Sequence, residues 1–162
     1  MTTSLTPGAI LEREQRSRHE GSGITAAQLA GTWRLVELWS REASPQPRQA
    51  ASLRWLQANL QLTPTRAEDG EQLVVVNGVR VGPLALRFCG QGQLTGRRPL
   101  LQFSFQTLEL LLGDRLLLQR DLGTPAPSRM PFFALIDQDR DADGRWLLAR
   151  GRGGGLACWR CP

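Results

Sequence analysis

The close of the chain constrains the fold more than any other stretch. Two strand-length apolar runs, residues 147–149 and 156–159, flank residues 151–155, of which four are glycine. Glycine reaches positive φ at little steric cost, so this spacing predicts a hairpin with a bulged turn. An apolar strand at that position must be tucked beside others or it leaves an adhesive edge. Closing a barrel is the commonest solution in a small all-β protein. The terminal hairpin is therefore read as the seal of a rolled sheet.

The pattern upstream is also β. Thr25-Ala26-Ala27-Gln28 has capping-box spacing and predicts a short helix, and Gly31-Thr32-Trp33 then opens a strand through Trp39. Ser44-Pro45-Gln46-Pro47 reads as a loop, since two prolines break a ladder. Across 53–62, Leu56, Ala58, Leu60 and Leu62 alternate with polar residues. A helix stays open for the first half of that segment, and a strand is favoured into Thr63-Pro64. Asn77-Gly78 predicts a type I′ hairpin inside 73–81. Gly82-Pro83 breaks the run, and Gly90-Gln91-Gly92 predicts a further turn. Leu101, Phe103 and Phe105 alternate with polar neighbours, and 108–112 pairs with 116–118 about Gly113-Asp114. Eight or nine short strands without helix–strand alternation predict an all-β fold, an up-and-down antiparallel β-barrel or a sandwich. The barrel would occupy 24–162. Residues 1–23 form a tail, partly helical from Thr6-Pro7 or disordered, with Gly21-Ser22-Gly23 as linker.

All twenty basic side chains are arginine, against fifteen acids, for a net charge of +5. Replacement of every lysine fits a codon bias towards G and C. Only Arg97 and Arg98 are adjacent among 162 residues, so no nucleic-acid patch is legible. The basic balance favours peripheral contact with anionic membrane lipids instead. No apolar run approaches the length of a membrane-spanning helix, and the first residues lack the basic-then-apolar order of a secretory signal.

Two stretches resemble known families. Gly31-x-Trp33 behind a short helix is similar to the opening of lipocalins and the wider calycin group, where glycine lets the chain turn in while the indole plugs one end of a barrel. Leu135-Ile136-Asp137-Gln138-Asp139, followed by Leu148-Ala149-Arg150-Gly151 and Gly153 to Leu156, resembles the C-terminal signature of the plastid-lipid-associated protein (fibrillin) family. That resemblance spans about thirty residues. It departs from the pattern at 140–145, which read as an insertion, and at Leu147, where the family's first arginine is expected. It implies a calycin-like barrel that binds an isoprenoid, carotenoid, quinone or other thylakoid lipid without catalysis. A cytoplasmic protein with peripheral contact at the thylakoid membrane follows from it.

Motifs that would carry other chemistry are incomplete. Asp139-x-Asp141-x-Asp143-Gly144 has the first half of a calcium loop, but Arg150 stands at the twelfth position and the flanks read as strands. Cys158-x-x-Cys161 has redox or zinc spacing, yet it lies on a predicted strand whose alternation points the two thiols to opposite faces. Only Cys89 is left to join them, and three cysteines argue against a disulfide framework. Arg150-Gly151-Arg152-Gly153-Gly154-Gly155 invites an anion-binding reading, but no helix follows to make a nucleotide loop. The one histidine, His19, sits in the tail. Glu37 and Glu109 are unpaired by any spacing, so no catalytic set, metal site or cofactor is expected.

What remains is an aromatic and aliphatic interior. Trp33, Phe88, Phe103, Phe105 and Trp159 fall on predicted strands and are the candidate walls for a small apolar ligand. Trp39, Trp55 and Trp146 are read as strand residues too. Arg87 and Arg150, if they point inward, would orient the ligand's polar end, since a buried arginine needs an acceptor. Two alternatives stay open. A bilin chromophore lyase of the same fold would need an inward arginine and carboxylate, and a structural or adaptor protein would have its barrel filled.

Overall fold

A computed structural model describes residues 5–65 and 71–162 of the chain. Nine strands form one antiparallel sheet: β1 (Gly31–Trp39), β2 (Asn59–Thr65), β3 (Gln72–Val81), β4 (Leu84–Thr95), β5 (Leu100–Leu112), β6 (Arg115–Asp121), β7 (Phe132–Asp141), β8 (Gly144–Gly151) and β9 (Leu156–Cys161). Eight of them close a ring in the order β1-β2-β3-β4-β5-β7-β8-β9 and back to β1. The terminal hairpin does seal it, with β9 seated between β8 and β1. β6 stands outside the ring and pairs only with β5. It and β7 lie end to end along one edge of β5, β6 opposite 107–112 and β7 opposite 100–102.

Both faces of the last three strands are covered. Leu35, Leu135, Leu147, Ala149 and Trp159 belong to the cluster that fills the ring. The intervening Ile136, Trp146, Leu148, Leu156 and Cys158 form a second cluster on the outside with Ile10 and Trp39. The cover is α1 (Pro7–Glu20), which makes the tail a docked helix. Its N-cap is Thr6, whose hydroxyl accepts from the Ala9 amide at 3.3 Å, and Pro7 occupies the first turn. Full burial of one such aliphatic side chain contributes about 1.5–3 kcal/mol.

α2 (Ala26–Leu29) closes one end of the ring. The predicted capping box forms between Thr25 and Gln28, and Ile24 and Leu29 join the interior cluster. Trp33 is fully buried and its indole N–H donates to the Leu29 carbonyl at 2.7 Å. The Arg145 guanidinium lies 5.1 Å from the ring centroid and donates to the carbonyls of Gln28 and Ala30 at 2.9 and 2.7 Å. α3 (Pro47–Trp55) packs on β1, so the helical option for the first half of 53–62 holds only to Trp55, and that indole is on a helix, 70% exposed.

Two turn expectations are corrected. Asn77-Gly78 makes no hairpin: β3 runs straight through it, with Asn77 opposite Phe88 and Gly78 opposite Arg87, and the turn falls at Gly82-Pro83 with Gly82 at φ 55°. Gly90-Gln91-Gly92 is likewise strand, interrupted only by a bulge at Cys89/Gly90. There the glycines permit close approach. A Cβ on Gly90 would lie within the Ser104 carbonyl, and one on Gly92 would meet Val75 at 2.9 Å.

This packing sets an expected contrast between two tryptophans. Trp33→Ala should lower unfolding free energy by about 3–5 kcal/mol, whereas Trp55→Ala should change it by less than about 0.5 kcal/mol. Guanidinium unfolding followed by circular dichroism measures both. Similar losses would mean that the ring is not closed by Trp33 as described.

Candidate functional site

Four of the expected ligand-binding aromatics are brought into one chain of contacts. Phe88 lies 5.5 Å from Phe105, Phe105 lies 5.3 Å from Phe103, and Phe103 lies 5.3 Å from Phe133. Phe133, which the sequence reading missed, meets Trp159 edge-on at 6.3 Å. Phe103 and Trp159 are buried in the interior cluster, while Phe88 and Phe105 are half-buried. Trp33 stands apart at the α2 end. Five open surface cavities among the described residues are lined by other side chains, and Trp33, Phe88, Phe103, Phe105 and Trp159 border none of them. The deeper aromatics fill the ring as core.

Beyond Phe88 the sheet runs out past the ring. Register places Asn77, Phe88, Leu108 and Arg120 in one row across β3 to β6. The next row on the same face is Val79, Leu86, Leu110 and Leu118, and the one after it is Val81, Leu84, Leu112 and Arg115. Facing residues of an antiparallel pair share a side of the sheet, as do residues two apart along a strand. The result is an apolar face that touches the interior cluster through Val79 and Phe105. Its outer part is open: Val81, Leu84, Leu112 and Leu118 are 43–55% exposed. Period-two alternation in 84–88 and 108–112 was the available signal, but it did not tell which rows lie outside the ring.

The two arginines expected to point inward do not. Arg87 lies in an intervening row, on the other face of the sheet, and pairs with Glu109 opposite it at 3.1 Å. Arg150 alternates with the inward Ala149 and therefore projects outside the ring, where it meets Glu14 of α1.

Glu14 is the charged centre of the molecule's outer layer. It is 4% exposed, and its carboxylate accepts from Arg150 Nε and Nη2 at 2.6 Å each, and from Arg18 and Arg98 at 3.1 Å. Burial alone would raise its pKa, but the hydrogen bond and charge of Arg150, with Arg18 behind them, outweigh it and hold the group at about 2. A neighbouring ion pair, Arg13 with Asp137, fastens the same helix, and the Arg13 guanidinium sits 5.2 Å from the Trp146 ring. Arg18 lies one helical turn from Glu14, but Arg98, Arg150 and Asp137 are too distant in sequence for spacing to have joined them to α1.

The other motifs are absorbed by structure. Asp141 is gripped by both Arg160 nitrogens at 2.7 and 2.8 Å. Asp139 accepts from the Arg140 amide at 2.8 Å. Among the described residues no three histidine, cysteine or acidic side chains gather as a metal site would need. Cys158 belongs to the outer cluster and Cys161 to the inner one, opposite faces as expected. Burial pushes the Cys158 thiol up to about 12, far from a reactive thiolate. Among the described residues no helix is long and apolar enough to cross a membrane.

Compared with models of protein families, with curated proteins and with solved structures, the chain matches none.

The Glu14 centre has a stated pH signature. A carboxylate whose pKa is lowered on folding stabilises the native state above its unfolded value, 4.5, and loses that contribution as pH falls towards about 2. The stability difference between wild type and Glu14→Gln should be constant above about pH 5 and shrink steadily between pH 4.5 and 2. Urea unfolding at half-unit pH steps measures it, and a difference independent of pH would contradict the ion-pair account.

Proposed function

We propose that the protein is a non-enzymatic binder of a small apolar molecule, with a lipocalin-like (calycin) barrel as its scaffold. The observation that carries this reading is the apolar face of β3 to β6, which runs without a break into the Phe88–Phe105–Phe103 contacts at the mouth of the ring. An apolar body laid on this face is desolvated on one side by leucine and valine, and its leading end meets aromatic rings. The ligand classes are those that the fibrillin resemblance implies: isoprenoid, carotenoid, quinone or another thylakoid lipid. Arg115 and Arg120 close two of the rows, and they favour a site worked at an anionic membrane surface.

One observation favours the adaptor reading as a second. The ring interior is occupied by Trp33, Leu35, Leu147 and Trp159, each less than 9% exposed, so the same apolar face would dock a protein rather than admit a ligand. The bilin lyase reading has less behind it: the buried polar side chains among the described residues are Glu14 and Ser17, both on α1 outside the ring.

Titration with a short-tailed quinone, a carotenoid fragment and retinol, read by quenching of tryptophan fluorescence, tests the first reading. Saturable binding of at least one is expected. Leu110→Asn should weaken it about tenfold, equivalent to ~1.4 kcal/mol, while Arg87→Gln on the opposite face leaves it unchanged. Absence of saturable quenching by all three, or equal losses in both variants, sinks it.

A further inference from the structure

The arginines that are scattered in sequence are gathered in space. Arg18, Arg41, Arg98, Arg150 and Arg152 line one open pocket of about 460 Å³ between the C-terminal half of α1 and the 151–154 turn. Leu100 and Phe132 contribute an apolar floor to it. Turn glycines make room for the cluster: Gly154 has φ 93°, and a Cβ there would come within 3.0 Å of the Arg41 stem.

Charge in this pocket is not balanced. Glu14 serves Arg18, Arg98 and Arg150 together. Arg152 spends its donors on the neutral carbonyls of Ser128 and Met130, at 2.6 and 3.4 Å. Hydrogen bonds to carbonyls satisfy N–H groups without cancelling charge. Arg41 has no ion pair among the described residues; the nearby Glu42 is fully exposed and engaged with Ser40 at 3.0 Å. Two carboxylates therefore stand against five guanidinium groups. The Nε of Arg98 is buried with no acceptor, a vacancy that ordinarily costs about 1–3 kcal/mol.

We propose that this pocket is a binding site for an anionic amphiphile, a ligand with a phosphate or carboxylate head on a short apolar body. The head accepts from Arg41 at the rim, in the field of Arg98, Arg150 and Arg152 behind it, and the body lies against Leu100 and Phe132. The pocket is on the outer face of the sheet, away from the β3–β6 surface, so it stands or falls independently of the apolar-ligand reading.

Calorimetric titration of the full chain with four probes tests it: octyl phosphate, octanoate, inorganic phosphate and octanol. Octyl phosphate should bind at least tenfold more tightly than inorganic phosphate, and octanol should not bind. The affinity of octanoate relative to octyl phosphate tells a carboxylate head from a phosphate one. Arg41→Ala should reduce octyl phosphate affinity about tenfold, and raised salt should weaken it further. Arg115→Ala, on the far hairpin, and Leu110→Asn should not change it. The proposal is overturned if octanol binds as well as octyl phosphate, if Arg41→Ala matches Arg115→Ala, or if inorganic phosphate equals octyl phosphate and the floor contributes nothing.

Discussion

The pairing of β9 with both β8 and β1 is the constraint on which the rest of the structure depends. Leu35 faces Trp159, and Trp159 faces Leu147, so one row of large apolar side chains crosses the seam. Without that seam the sheet would have two long apolar edges in water. The seam also explains why the terminal hairpin is apolar on both faces. A strand with only its inner face covered alternates, whereas one covered on both sides reads as a continuous apolar run. Residues 146–149 and 156–159 are such runs, and each is buried throughout. Sealing the ring thus creates a demand for an outer cover, which α1 meets.

That cover is a weakly amphipathic helix, and apolar contact alone explains little of its placement. Ile10 is its one fully buried apolar residue, and Glu14 and Ser17 are the others hidden from solvent. A buried carboxylate is costly unless it is paired and hydrogen-bonded, so α1 is held where Glu14 finds its arginines. Glu14 selects the orientation of α1 by engaging arginines from the helix itself, the β4–β5 turn and the end of β8. The concentration of positive charge beside it is the other half of the same device. Three arginines converge on one acid, and Arg41 and Arg152 arrive with the turns that flank them.

How far the chain could be read in advance follows from how local each determinant is. The capping box at Thr25, the hairpin about Gly113-Asp114 and the terminal pair depend on residues within a few positions of each other, and all three were legible. Asn77-Gly78 was misread because its turn chemistry is genuine but outvoted. β3 has ladders to β2 on one side and β4 on the other through those two residues, and breaking both would cost more than a favourable turn returns. Gly90 and Gly92 were misread for a related reason: nothing local separates a glycine that bends the chain from one that lets Ser104 or Val75 come close. Arg87 and Arg150 illustrate register. Each alternates regularly along its own strand, with Phe88 and Ala149 as neighbours on the inner side, and only the long-range pairing settles which side of the sheet is inner. The arginine pocket was illegible in principle, since it joins residues from 18 to 152.

The excursion of β5 and β6 beyond the ring bears most directly on function. A hairpin made only to close the sheet would not need to outrun it. Here β5 continues for six paired residues past its contact with β7, and β6 follows it back entirely in the open. The free edge of β6 has the usual safeguards against pairing with other sheets, a bulge where Leu116 and Leu117 oppose Leu111 and arginines at 115 and 120. The adjoining face has only those two arginines at its margin, and carries leucine or valine at all remaining positions of its outer two rows. A protected edge beside an unprotected apolar face is hard to reconcile with a surface meant only for water. It suits one that receives an apolar partner flat against its side chains while strand addition is blocked.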